Sequence, residues 1–202
     1  MHKGIFIALT IFVTVTLAQS ANAYSYAEAE DAMVTIFKEG VTAAREGKWD
    51  VVKEKSEEGM AMQRGHIFNA DALLPSFDQA IAKKDVAKTA GLFADLVYIS
   101  IREKLNQCKK EGFKHFKNDK GRISMARKSY IDVLDGNVRK QDAKRSEAIL
   151  KQFDVALAAI GNPGLFGIGT KPANPARFEK AMTAIEEMIT SSFTEFTGGE
   201  VR

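Results

Sequence analysis

The sequence predicts an all-α protein, an up-and-down bundle of about five to seven helices around one central helix. No segment alternates apolar and polar residues with the period of a half-buried strand, and β-branched runs are confined to the first 23 residues. Apolar residues instead recur at helical spacing along most of the chain. The chain has 202 residues, 45% of them apolar, and a net charge of +3, so it can bury a core and lacks the composition of a disordered chain.

The N-terminal segment has the pattern of a secretory signal peptide. Lys3 supplies a positive charge, Gly4–Leu17 is an uncharged apolar run, and Ala23 is a small residue of the kind that signal peptidase recognises. We expect cleavage between Ala23 and Tyr24, which leaves a periplasmic or secreted single domain over 24–202. An uncleaved N-terminal anchor is the alternative, although the apolar run is short for a bilayer span of about 20 residues.

The central helix is predicted over Asp85–Phe116. Its middle, Leu92–Ile101, is apolar nearly all round, and a helix of that kind is stable only when neighbouring helices surround it. Asp85 is a good N-cap residue. We expect the helix to end at Asn118–Gly121, because Asn and Gly accept the left-handed backbone that helix ends require.

Three helices are predicted before the central one. Ala27–Glu46 ends at Gly47, a natural C-cap. Trp49–Gly65 has a weak apolar face and is expected at an edge of the bundle. A short helix over Ser76–Lys83 follows, with Pro75 tolerated in its first turn.

The C-terminal half is predicted to hold three further helical segments. Arg122–Lys140 and Asp142–Ile160 form either one bent helix or a hairpin, and the final helix starts at Pro175 and ends at Gly198–Gly199. The intervening Gly161–Asn174 is the only long loop. Its apolar side chains are expected to cover the end of the core, and contact with a partner is the alternative. Those side chains are Leu165, Phe166 and Ile168.

Two corners of the chain share a pattern in which a helix runs into polar residues and then an Asp, at Asp85 and again at Asp142. This pattern resembles secreted helical bundles of the cytochrome c-prime family and imelysin-like helical domains. The resemblance covers Phe77–Cys108 and, more weakly, Asn174–Ile189, and it implies a helical-bundle fold. The chain has no Cys-x-x-Cys-His, so the covalent haem attachment of that cytochrome family is not implied.

A few residues are candidate ligands of a metal or haem site. Met62 and His66 share one helical face, and Cys108, Glu111 and His115 share another if the central helix extends that far. Facing each other, the two sets would offer ligands for copper, zinc or noncovalent haem. No established metal-binding spacing is present, so we expect no cofactor, with haem or copper as the alternative.

The densest basic region contains Lys109, Lys110, Lys114, Lys117 and Arg122. The predicted export disfavours nucleic acid as a partner. An anionic ligand, an acidic protein or membrane headgroups are the functional alternatives. A solvated helix end is the structural one, because cations stabilise the negative end of the helix dipole.

No catalytic signature is present. The chain lacks Gly-x-Ser-x-Gly, and Cys108 and His115 on one helix would lie about 10 Å apart along its axis, beyond hydrogen-bond reach. The predicted function is therefore a noncatalytic binding or interaction module of the cell envelope, with a protein or a small ligand as partner. A haem- or metal-handling protein is the alternative.

Overall fold

Helices make up most of the computed structural model, which describes residues 30–166 and 168–201. The all-α prediction is confirmed. The predicted signal peptide, its cleavage site at Ala23 and Tyr24, and the first residues of the predicted Ala27–Glu46 helix lie outside the described residues. In chain order the helices are α1 (Ala32–Arg45), α2 (Trp49–Gln63), α3 (Leu74–Lys83), α4 (Val86–Glu111), α5 (Phe116–Ser129), α6 (Asp135–Gln141), α7 (Ala143–Ala159) and α8 (Pro175–Ser192).

Short elements join some of these helices. A 3₁₀ turn, Asp71–Leu73, leads into α3, and a π-helical segment, Tyr130–Leu134, links α5 to α6 without a break. Two two-residue strands, β1 (Phe68–Asn69) and β2 (Glu200–Val201), pair antiparallel. With α5, the π-helical segment and α6 taken as one helix, the described residues contain seven helices. None of the described helices is long and apolar enough to cross a membrane.

The central position of α4 is confirmed. Every residue of Leu92–Ile101 is buried, and α1, α2, α3, α5 and α8 all contact this helix. The close approach of α1 depends on Gly40, since the ring of Phe93 fills the space that a Cβ would need. Asp85 caps the N-terminus of α4 by accepting a hydrogen bond from the backbone N–H of Lys88 at 2.9 Å.

The predicted C-terminal end of the central helix was wrong. The helix ends at Glu111, where Gly112 adopts a left-handed conformation with φ +65°, and α5 begins at Phe116. The next residue, Phe113, is also left-handed, and its ring packs on that of Phe178 with centroids 4.9 Å apart. The expected stop at Asn118–Gly121 lies inside α5. The left-handed Gly112 ends the helix first, and its N–H donates to the carbonyl oxygens of Cys108 and Lys109.

The second half of the chain contains a hairpin. Asp142 is extended, with φ −155° and ψ 99°, and its carboxylate caps α7 by accepting a hydrogen bond from Arg145 N at 3.1 Å. Helix α7 then folds back along α5, where Arg127 Nε lies 3.4 Å from Asp154 Oδ1. Of the two alternatives for 122–160, the structure therefore shows the hairpin.

The C-terminal segment leaves helical structure earlier than predicted. Helix α8 ends at Ser192, because Phe193 leaves the helical conformation, with φ −129° and ψ 74°, and its ring stacks on Phe196 at 4.5 Å between centroids. The chain then crosses α4 and supplies strand β2, which pairs with β1. Gly198 and Gly199, the expected helix end, lie in this crossing segment, which is tied down at α4.

Candidate functional site at the loop end of the bundle

Two of the predicted metal or haem ligands, Met62 and His66, lie near the end of α2. Met62 is exposed, and His66 lies in the turn that follows α2, with Nδ1 3.3 Å from Glu103 Oε1. Glu103 Oε2 also accepts a hydrogen bond from Ile67 N at 3.2 Å. Glu103 therefore holds this turn against α4.

The other three predicted ligands do not share a helical face. Cys108 is buried, and its Sγ donates to the carbonyl oxygens of Lys104 and Asp119 at 3.3 Å and 3.7 Å. Burial, together with nearby Asp119, raises the pKa of the Cys108 thiol to about 12. Glu111 accepts two hydrogen bonds from the Arg122 guanidinium, at 2.6 Å and 2.8 Å. His115 is exposed and lies beyond the end of α4, so the expectation that it continues the face of Cys108 was wrong.

The positions of the five predicted ligands can be compared with what a metal or haem site requires. Within residues 30–166 and 168–201, no three or more His, Cys, Asp or Glu side chains are grouped in a way that could hold a metal ion. The haem or copper site therefore stays a sequence-based prediction.

The basic region is partly neutralised. Arg122 pairs with Glu111 and, at 3.2 Å, with Asp119, while Lys109 pairs with Glu179 at the start of α8. The remaining three lysines of the region are exposed, and none has an ion-pair partner among the described residues. They are Lys110, Lys114 and Lys117.

Further exposed cations lie at the end of the bundle where α4 ends and α8 begins. The Lys109–Glu179 pair and the Phe113–Phe178 ring contact join the end of α4 to the first turns of α8. These turns come directly after the long loop. The exposed cations added here are Lys120 on α5, Lys171 in the loop, and Arg177 and Lys180 on α8.

The loop itself is a hydrogen-bonded hairpin, which we call the finger, and its described residues are 162–166 and 168–171. Asn162 and Lys171 exchange two backbone hydrogen bonds of 2.8 Å, and Leu165 and Ile168 exchange two of 3.0 Å. Asn162 Oδ1 also accepts a hydrogen bond from Gly164 N at 2.9 Å. The backbone polar groups of Asn162, Leu165, Ile168 and Lys171 thus pair within the finger.

The apolar side chains of the finger point to solvent, and the expectation that they cover the core was wrong. Leu165 is 74% exposed, Phe166 97% and Ile168 80%. Two apolar residues that flank the loop, Ile160 and Phe178, are buried instead.

The backbone of the finger is constrained at both its base and its tip. At the base, Gly161 has φ +81°, and a Cβ on it would lie 2.5 Å from the Lys171 carbonyl oxygen. At the tip, Phe166 has φ +51°, a sparsely populated conformation for a bulky residue. A strained, exposed aromatic residue is a common mark of a functional position.

No known protein family, curated protein or solved structure matches this chain. The resemblance to the cytochrome c-prime family and to imelysin-like domains therefore stays a prediction. The function is inferred from the geometry of this end of the bundle.

Proposed function

We propose that the protein is an exported, noncatalytic binding or interaction module, and that the finger and the cations around it form its contact surface. The observation that carries the proposal is the exposure of Leu165, Phe166 and Ile168 on a hydrogen-bonded hairpin. Full burial of such a side chain contributes roughly 1.5–3 kcal/mol. Clustered exposed apolar residues of this kind mark interaction sites.

The noncatalytic part of the proposal is supported by the structural tasks of the groups that could do chemistry. The Cys108 thiol is buried and its pKa is raised, so little of it is thiolate at neutral pH. Glu103 holds the turn after α2, and the Asp95 carboxylate holds the C-terminal segment. Each of these groups already has partners that fix the fold.

Export is proposed from the sequence of the first 23 residues. Protein recovered from the producing cells is expected to begin at Tyr24 and to appear in the periplasmic or secreted fraction. An intact Met1 on protein recovered from the cytosol would overturn this part of the proposal.

A photo-crosslinking experiment tests the contact surface. A photoreactive phenylalanine analogue is placed at position 166 in one variant and at position 144 in the control. Lys144 is exposed in the first turn of α7, at the corner between α6 and α7. In the producing cells we expect adducts to protein or lipid from position 166 only. These adducts should be lost when Leu165 and Ile168 are also changed to Asp.

Equal crosslinking from positions 166 and 144, or none from position 166, contradicts the proposal. A crosslink from position 166 to either protein or lipid supports it. The experiment therefore tests the contact surface without assuming the nature of the partner.

A further inference from the structure

We infer that the partner of the finger is the surface of an anionic lipid bilayer, into which Leu165, Phe166 and Ile168 insert while the surrounding cations contact headgroup phosphates. This inference rests on the proposed function, because it requires the finger end to be the contact surface. It goes further by naming the chemical class of the partner.

The shape of the finger favours a bilayer. Its most exposed residue, Phe166, is 97% exposed, and its apolar neighbours Leu165 and Ile168 are also largely solvent-accessible. A protruding apolar tip needs a preformed pocket on a protein partner, whereas the interfacial region of a bilayer accommodates it directly. The backbone hydrogen bonds between Leu165 and Ile168 lower the cost of leaving water at the tip, since these polar groups are already paired.

The charge around the finger fits anionic headgroups. Ion pairs join α4 to α5 and α8, and their acidic side chains are already paired with cations. Glu111 and Asp119 pair with Arg122, and Glu179 pairs with Lys109. Seven other cations at this end of the bundle are exposed, and none of them has an ion-pair partner among the described residues. They are Lys110, Lys114, Lys117, Lys120, Lys171, Arg177 and Lys180.

The distribution of these cations also favours a surface over a single binding groove. They come from the last turn of α4, the α4–α5 connection, the first turns of α5, the base of the finger and the first turns of α8. The Phe113–Phe178 contact and the Lys109–Glu179 pair fix these elements together at one end of the bundle. Lysine side chains are long enough to place their ammonium groups at headgroup level while an apolar tip inserts. An acidic protein would account for the cations but would also need a preformed pocket for the apolar tip.

Vesicle binding tests the inference. The purified protein, made from the full-length gene and with its N-terminus sequenced to exclude an uncleaved apolar leader, is mixed with phosphatidylcholine vesicles with and without phosphatidylglycerol. We expect flotation with the vesicles that contain phosphatidylglycerol, weaker flotation at high salt, and none with phosphatidylcholine alone.

Two variants separate the contributions of the tip and of the cations. Phe166→Asn removes the aromatic side chain of the tip and keeps Leu165 and Ile168. Because Asn accepts a left-handed backbone, the finger should keep its fold. We expect this variant to bind roughly tenfold more weakly or worse. Changing Lys110, Lys114 and Lys117 to Gln is expected to weaken binding on the order of a hundredfold at low salt.

The matched charge control changes Lys140, Lys144 and Lys151 to Gln, three exposed lysines away from the finger that lie in no ion pair among the described residues. This control is expected to keep binding within about threefold, because the headgroup field decays over a Debye length. Equal losses in the two lysine triples would mean that net charge alone drives binding, which would overturn the inference.

Insertion is measured separately by fluorescence. In a Trp49→Phe background, the Phe166→Trp variant is expected to show blue-shifted emission with phosphatidylglycerol vesicles and quenching by brominated lipid chains. Binding without a blue shift would overturn insertion. If vesicles do not bind while position 166 crosslinks to a protein in cells, the bilayer is the wrong partner and the proposed function stands. If position 166 crosslinks to nothing, the proposed function itself fails.

Discussion

The Asp95 carboxylate, in the middle of α4, binds the backbone of Thr197 in the C-terminal segment. Its Oδ2 accepts hydrogen bonds from Thr197 N at 2.8 Å and from Thr197 Oγ1 at 3.0 Å, and its Oδ1 accepts one from Gly198 N at 3.1 Å. The carboxylate is 2% exposed. This buried side chain thus ties residues 197–198 to the central helix.

Removing this carboxylate should release the C-terminal segment. Asp95→Ala leaves the N–H groups of Thr197 and Gly198 without their acceptor, and we expect the free energy of unfolding in urea to fall by about 1–3 kcal/mol. Limited proteolysis should also cut the segment after Phe193 more readily. The control Asp78→Ala, at an exposed position on α3, should change the free energy by no more than about 0.5 kcal/mol. Equal effects of the two changes would contradict the role of Asp95.

The same carboxylate should make stability depend on pH. Burial raises the pKa of Asp95, against hydrogen bonds from Thr197 and Gly198 that lower it. Between the unfolded value of about 3.9 and the higher folded value, folding takes up a proton, so the free energy of unfolding falls as pH rises through this window. Asp95→Asn does not titrate.

Urea titrations of the two proteins across this pH range check the sign. The free energy of unfolding of the wild type minus that of Asp95→Asn should decrease as pH rises from about 4 toward neutrality. A difference that grows with pH would mean that the folded-state pKa is lowered instead.

Replacing Gly40 is expected to destabilise the α1–α4 contact. A Cβ there would lie 2.3 Å from Cζ of Phe93, whose ring is itself held by Phe77 at 5.0 Å between centroids. Gly40→Ala should cost about 1–3 kcal/mol, which lowers the melting temperature by several degrees. Gly91→Ala is the matched control on α4, because nothing lies within 4 Å of its Cβ position. It should leave stability unchanged or raise it by up to about 1 kcal/mol, since Ala has the higher helix propensity. Similar melting temperatures for both variants would contradict the packing of Phe93 on Gly40.

The Cys108 thiol is expected to be unreactive in the folded protein. Burial raises its pKa to about 12, so thiolate is scarce, and the thiol reaches solvent only when α4 and α5 separate. Its reaction with an aromatic disulfide reagent at about pH 8 should be at least roughly a hundredfold slower than in concentrated guanidinium. Fast labelling of the native protein would place Cys108 at the surface.

Local signals in the sequence predicted much of this fold. The apolar run Leu92–Ile101 is buried on all sides, and Asp85 and Asp142 cap the helices that follow them. The end of α4 was missed, because Gly112 and the Asn118–Gly121 stretch both carry a stop signal. The contact between Phe113 and Phe178, which lies far along the chain, accompanies the earlier stop.

The candidate site was predictable only in part. The lysines at 110, 114 and 117 stand out by their density, whereas Lys171, Arg177 and Lys180 join them only because α8 packs beside the end of α4. The outward orientation of Leu165, Phe166 and Ile168 was missed, because the burial of a loop side chain depends on the fold around it and no local pattern in 161–174 contains that information.

The most direct test of the account compares the accessibility of position 166 in solution and in the producing cells. Phe166→Cys and the control Lys144→Cys are labelled with membrane-permeant N-ethylmaleimide, and buried Cys108 adds little background. Both introduced thiols should react fast in the purified protein. In cells, the thiol introduced by Phe166→Cys should be protected while the one introduced by Lys144→Cys still reacts. Equal labelling of the two in cells would show that the finger meets no partner and would contradict the account.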